Sequence, residues 1–286
     1  MAEAGRRAQK ANGELEMRMM SFTRTAAVVL RQFYLIRGSL ARVLPMFTWV
    51  GIDMVLWGFI SRYLNTVSGA GINFVPRLLG AVLLWDFFIR TMQGVTMAFF
   101  EDVWSRNFLN FFATPLTTTE YVAGLVLSST VAALAGLGVM LLLATTIFGL
   151  SFFVYGLLLV PFLLVLFLFG ISLGILGSAM VLRLGPAAEW FVWPIPAILS
   201  PFAGVFYPLA TLPRWMQYAA HLLPPSYVFE GMRGILAGAA MPAMPLIFGA
   251  ALALFYVLFA GWFFHRMYRF AVRTGLIARY SAETVS

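Results

Sequence analysis

Acidic and basic side chains lie inside apolar stretches of this sequence, where an ionised group has few partners. Asp53 falls midway along one such stretch, and Asp86 and Arg90 fall within the next. A charge at that depth costs several kcal/mol unless it is paired or hydrated. Because Arg90 is the fourth residue after Asp86, the two side chains can pair on one face of a helix, and Gln93 lies on the same face. Two interpretations stay open: a salt bridge that fixes helix packing, and the polar lining of a transport path.

Two tryptophans flank Asp53 at steps of four residues. Trp49 and Trp57 would therefore place two indole rings beside one carboxylate on a helical face. Aromatic rings can stack on sugars or lipid-linked groups, but interfacial belts and core packing use them more often. Both roles stay open for this pair.

The sequence contains few of the residue patterns that enzymes use for covalent catalysis or metal binding. The only lysine, Lys10, is followed by Ala11, so the sequence contains no G-x-x-x-x-G-K-[ST] phosphate loop. His221 and His265 lie far apart, and there is no cysteine, so no zinc or thiolate metal site is expected. The sequence predicts no catalytic residue, and a membrane enzyme ranks below transport functions.

The composition identifies the elements that must position these charges. Of 286 residues, 62% are hydrophobic and 10% are charged, whereas soluble domains have roughly 45–50% and 25%. This balance excludes disorder and favours a polytopic membrane protein. Eight of the 19 Lys and Arg residues lie in 1–42 and four in 266–286. That distribution predicts cytoplasmic termini rather than a nucleic-acid partner.

The predicted fold is an all-α polytopic membrane protein with six transmembrane helices. Each predicted segment is near the roughly 20 residues that a bilayer core requires. The segments are placed at about 43–64, 75–100, 119–148, 152–182, 187–209 and 243–266. The predicted domains are a tail with an amphipathic helix (1–42), a transmembrane domain (43–267) and a cytoplasmic tail (268–286).

Three further elements can be placed. Residues 14–42 are predicted to form a basic amphipathic helix, either in the membrane interface or packed on the cytoplasmic side. Residues 101–113 are predicted to form a short amphipathic helix, after which Thr117 and Glu120 would make a capping box. Six prolines interrupt residues 201–242, which predicts re-entrant or interfacial helices on the outer side. In the fourth segment, small residues at steps of four, Gly170 and Gly174 among them, favour close helix packing, possibly across a dimer seam.

Three stretches carry a likeness to a known family. The helix before the first segment looks like a connecting helix. Residues 101–124 read EDVWSRNFLNFFATPLTTTEYVAG and look like a coupling helix followed by a Thr-Pro-Leu and Glu-Tyr signature. Residues 200–238 are similar to an outer re-entrant hairpin, with Gly204, Tyr207, Pro208, Pro213, Trp215, Pro224, Glu230, Arg233 and Gly238 in the expected places. On these residues, the chain resembles the permease subunit of type-2 ABC exporters, which export polysaccharides, lipooligosaccharides and drugs.

The resemblance implies a mechanism with partners. Two permease copies would pair, most simply as a homodimer, and two separate ABC ATPase subunits would bind ATP and Mg²⁺, so this chain would bind no cofactor itself. The expected location is the bacterial inner membrane, among lipids and without nucleic acid. The coupling helix would present Glu101, Asp102, Arg106, Asn107 and Phe108. The outer gate would include Tyr207, Pro208, Pro213, Trp215, Glu230 and Arg233.

One departure and one alternative accompany the resemblance. Many relatives carry a Gly-Thr-Leu-Glu-like run where this chain has residues 106–110, so individual ATPase contacts cannot be transferred. The expected cargo is amphipathic or lipid-linked: a glycan, a glycolipid or a hydrophobic drug. The alternative is an ion-coupled secondary transporter with Asp53 or Asp86 as the ion or proton site.

Overall fold

The computed structural model describes residues 21–38, 40–68, 73–105, 114–151, 155–239 and 243–276. The described part of the chain is helical and contains no β-strand. Residues 21–37 form α1. The later helices are α2 (Leu40–Val67), α3 (Gly80–Trp104), α4 (Thr118–Phe148), α5 (Leu159–Leu184), α6 (Glu189–Val192), α7 (Ile195–Ala203), α8 (Arg214–His221), α9 (Pro224–Leu236) and α10 (Ala243–Arg273).

The centre of the fold is α3, which packs against both α4 and α5. A π-helical turn at Val75–Leu79 precedes α3, with Pro76 near its start, where a missing N–H is harmless. Helix α10 covers the other side of α5, and α2 packs on α4. The chain therefore builds its core from helices that are largely apolar on every face, as a membrane domain does.

Glycines bring α5 against α3. A Cβ added at Gly174 would lie 2.7 Å from the Met92 carbonyl oxygen, and one at Gly170 would lie 3.1 Å from that of Phe88. Thr96 Oγ1 also donates to the Gly174 carbonyl at 3.3 Å. The predicted close packing is confirmed, but its partner is α3 of the same chain and not a second copy.

Four described helices are long and apolar enough to cross a membrane. They cover Val75–Trp104, Thr118–Phe148, Gly156–Leu184 and Ala243–Arg273, which correspond to the second, third, fourth and sixth predicted segments. The first predicted segment lies within α2, a 28-residue helix that is not among these four described candidates. The chain is a multi-pass membrane protein.

The fifth predicted segment differs from its prediction. Residues 187–209 do not form one continuous helix but a 3₁₀ turn (Pro186–Ala188), α6 and α7, ending at Gly204 in the left-handed region (φ 61°). Proline lacks the N–H that a helix interior uses, and Pro194 and Pro196 fall at the break. Between this stretch and α10, the described residues up to 239 form only short helices, as predicted for residues 201–242. The tails 1–20 and 277–286 and coupling residues 106–113 lie outside the described residues.

Candidate transport cavity and coupling region

Helices α2, α3 and α4 surround a cavity of about 590 Å³. Five of the six residues predicted for the transport path line it: Trp49, Asp53, Asp86, Arg90 and Gln93. The other lining residues are Ile89, Gly94, Met97, Ala132, Ala133 and Trp193. The structure thus gathers polar groups from α2 and α3 that sequence spacing could relate only within each helix.

The Asp86–Arg90 pair is the strongest polar contact in this cavity. Arg90 Nε lies 2.5 Å from Asp86 Oδ2, and both side chains are largely buried. The pairing predicted from the four-residue spacing is confirmed. On α4, a Cβ added at Gly136 would lie 3.1 Å from Arg90 Cδ, so this glycine makes room for the arginine to lie across the helix.

The two tryptophans that flank Asp53 have different surroundings. Trp49 lines the cavity and is 64% exposed. Trp57 lies outside it, with its ring stacked on Phe206 at a centroid distance of 4.7 Å and an angle of 9°. Trp57 therefore connects α2 to the turn that follows α7. Trp193, which sequence reasoning missed, supplies the second indole of the cavity.

A buried carboxylate joins three helices at the end of α3. Tyr121 Oη on α4 donates to Asp102 Oδ2 at 2.7 Å, and Arg31 Nη2 on α1 lies 2.5 Å from Asp102 Oδ1. The Asp102 side chain is fully buried, as is Tyr121. Asp102 therefore holds the end of α3 to α1 and α4, and its predicted contact with an ATPase stays a prediction.

The start of α4 is fixed to α1 as well. Arg24 Nη1 donates to the Pro115 carbonyl at 2.9 Å and lies 3.6 Å from Glu120 Oε2. Glu120 accepts from the Thr117 backbone N–H at 2.9 Å, and the Thr117 hydroxyl accepts from the Glu120 N–H at 3.3 Å. This confirms the predicted capping box. The described chain on either side of residues 106–113 therefore contacts α1, at Asp102 before them and at Pro115 and Glu120 after them.

The remaining predicted coupling residues are placed only in part. Glu101 is half-buried on α3. Arg106, Asn107 and Phe108 lie outside the described residues. Their contact with an ATPase stays a prediction.

On the other side of the fold, Glu230 and Arg233 of α9 hold a turn. Glu230 Oε1 accepts from the Leu209 backbone N–H at 2.7 Å and from Arg233 Nη2 at 2.9 Å. Arg233 Nη1 donates to the Gly204 carbonyl at 2.7 Å. The pair is therefore more than a solvated ion pair, because it satisfies backbone groups of the chain between α7 and the next turn.

The other residues predicted for the outer gate lie along the same turn. Tyr207 Oη donates to the Pro201 carbonyl at 2.8 Å. Pro208 and Pro213 immediately precede a 3₁₀ turn and α8. Trp215 meets Phe202 edge to face at 6.1 Å. The structure brings all six predicted residues into one region, and their role in gating stays a prediction.

A sequence motif typical of hydrolytic enzymes lies in the interior of a helix. Residues 170–174 read Gly-Ile-Ser-Leu-Gly, the letters of a nucleophile elbow. Ser172, however, is buried inside α5 and donates to the Phe169 carbonyl at 2.7 Å, whereas the elbow requires an exposed serine at a strand-to-helix turn. Among the described residues, no three His, Cys, Asp or Glu side chains gather into a metal site.

Comparison with known families agrees with this arrangement. The family model for the ABC-2 type transporter matches residues 24–237, a range that includes most of α1, the cavity, the predicted coupling segment and the turn held by Glu230 and Arg233. The chain belongs to this family. It is the permease of an ABC transporter, and permeases of this family work with ABC ATPase partners and are not themselves catalytic. No curated protein matches the sequence significantly.

Proposed function

We propose that this permease is the membrane subunit of an ATP-driven exporter. The observation that carries the proposal is the buried contact of Arg31 and Tyr121 with Asp102, together with the family match. A segment that receives force from an ATPase needs both of its ends fixed to the elements that it must move. Here the described chain on either side of residues 106–113 belongs to α3 and leads into α4, and contacts with α1 hold both sides.

The proposed mechanism follows from those links. ATP-driven closure of two ATPase subunits, which carry the ATP and Mg²⁺, pushes on the coupling segments of two permease copies. Because Asp102 binds side chains from α1 and α4, the push displaces α1, α3 and α4 together. Since α3 and α4 line the cavity, their movement changes its access from one side of the membrane to the other.

The proposed topology has six spans with both termini in the cytoplasm of a bacterial inner membrane. It adds α2 and the interrupted 186–203 stretch to the four long apolar helices. An even number of spans agrees with basic residues at both ends of the chain. The outer turn held by Glu230 and Arg233 then lies on the external side as a re-entrant element and gate.

The proposed cargo is amphipathic: a lipid-linked glycan, a glycolipid or a hydrophobic drug. The cavity has mostly apolar walls with a few charged groups, the usual character of a small-molecule site.

One observation favours a second candidate, an ion-coupled carrier. Asp53 has no hydrogen bond or ion pair with any other described residue, and a carboxylate at membrane depth can serve as a proton or ion site. Reconstitution into liposomes separates the two functions. The exporter requires its ATPase and ATP, whereas the carrier transports alone under an ion gradient. Uptake by the permease alone, driven by a proton or sodium gradient, would contradict the exporter.

A further inference from the structure

The charges around the cavity do not balance. Among its described lining residues, the charged groups are Asp53, Asp86 and Arg90. Two carboxylates against one guanidinium leave one negative charge. Arg90 attracts both carboxylates, but it bonds to Asp86 at 2.5 Å, so Asp53 is the carboxylate without a hydrogen bond or salt bridge in the described structure.

The walls beside this carboxylate are aromatic. Trp49 and Trp193 line the same cavity and are 64% and 45% exposed. The face of an indole ring attracts cations more strongly than any other side-chain ring does. An unpaired carboxylate and two accessible indoles in one cavity are the groups that recognise an ammonium or phosphonium ion.

The size and surroundings of the cavity set the rest of the ligand. A volume of about 590 Å³ lies within the roughly 300–1,000 Å³ of small-molecule sites. Ile89, Met97 and two alanines complete the walls with apolar surface. An anionic head group, such as a pyrophosphate, would meet unpaired Asp53 and an arginine that already has a carboxylate partner.

We propose that this cavity binds an amphipathic organic cation, with Asp53 as its counter-ion and Trp49 and Trp193 as its aromatic walls. The inference rests on the proposed function only where the bound cation is taken to be exported cargo. Binding itself depends on this chain alone.

Two ions of equal shape and opposite charge test the proposal. Tetraphenylphosphonium and tetraphenylborate are offered to the full-length permease in lipid nanodiscs, and binding is measured by equilibrium dialysis with empty nanodiscs subtracted. We expect saturable binding of the phosphonium and at least about tenfold weaker binding of the borate. Equal affinities, or no saturable binding of the phosphonium, would overturn the proposal.

Variants locate the site. Asp53→Asn should weaken phosphonium binding about tenfold, while Asp53→Glu, which keeps the charge, should stay within about threefold of wild type. Trp49→Leu should weaken binding about tenfold. The control is Trp190→Leu, because Trp190 is 81% exposed and outside the cavity. Unchanged binding in Asp53→Asn would place the cation elsewhere and overturn the assignment.

The outcome also separates this inference from the exporter function. Cation binding by a permease that has no ATPase partner would leave the site standing and contradict the exporter. An active ATPase complex whose permease binds neither ion saturably would leave the exporter standing and remove the inferred cation site.

Discussion

The Tyr121 hydroxyl offers the cleanest test of the contact that joins α1, α3 and α4. Tyr121→Phe deletes one oxygen from a fully buried side chain and keeps the ring, which packs edge-on to Phe99 at 6.3 Å. The lost bond is a 2.7 Å donation to the carboxylate of Asp102. Hydrogen bonds to charged groups are worth about 1.5–3 kcal/mol, so we expect a loss of that size in unfolding free energy.

Deletion of a second tyrosine hydroxyl, in a more exposed hydrogen bond, calibrates this value. Tyr227 Oη donates at 2.8 Å to a neutral acceptor, the His221 carbonyl. Tyr227→Phe should therefore cost only about 0.5–1.5 kcal/mol. Both variants are purified in the same mild detergent, and their unfolding free energies are measured by titration with sodium dodecyl sulfate.

A double-mutant cycle with Asp102→Asn isolates the ionic part of the bond. In the Asp102→Asn background, Tyr121→Phe removes only a neutral hydrogen bond, so the coupling energy between the two sites should be at least about 1 kcal/mol. A coupling energy indistinguishable from zero, or a Tyr121→Phe cost no larger than that of Tyr227→Phe, would refute the reasoning that a charged, buried contact holds these helices together.

Three further predictions test other parts of the fold. Glu230→Ala should lower export more than it lowers protein level, while Glu230→Gln, which keeps an acceptor oxygen, should lose less; equal losses of export and protein level would favour a purely structural role. Gly174→Ala should cost about 1–3 kcal/mol in unfolding free energy, because its methyl group clashes with α3. Gly138→Ala, whose methyl group meets nothing within 4 Å, should be neutral or stabilising. Equal effects of the two variants would contradict the close packing of α5 on α3. Thr117→Ala should cost about 1 kcal/mol through the lost cap, and Thr146→Ala, in the exposed interior of α4, should not; similar melting of both variants in detergent would contradict the capping role.

The spacing of residues along the sequence predicted the contacts between side chains of the same helix. The capping box at Thr117 and Glu120 and the pair between Asp86 and Arg90 are confirmed, because residues three or four apart on a helix meet whatever the rest of the chain does. The positions of the four long apolar helices were also predictable, since bilayer thickness fixes their length.

Contacts between distant parts of the chain were not predictable. The burial of Asp102 depends on Arg31 and Tyr121, which lie on other helices, and no spacing relates the three residues. The same holds for Trp193 in the cavity and for the stack of Trp57 on Phe206. These contacts depend on how helices pack, which single-chain periodicity does not contain.

The interruption of the fifth segment is a different case. Pro194 and Pro196 were visible signals of a break, but the apolar character of 187–209 favoured one continuous helix. Hydropathy reports whether a segment can enter a membrane and does not report whether its helix is unbroken. Proline geometry decided the local structure here.

Affinity purification of the tagged permease from its native membrane in mild detergent, followed by native mass measurement and an ATPase assay, tests the central claim most directly. The account predicts a complex with two permease copies, two co-purifying ATPase subunits and vanadate-sensitive ATP hydrolysis. A permease that purifies without an ATPase, and that transports in liposomes under an ion gradient alone, would contradict it.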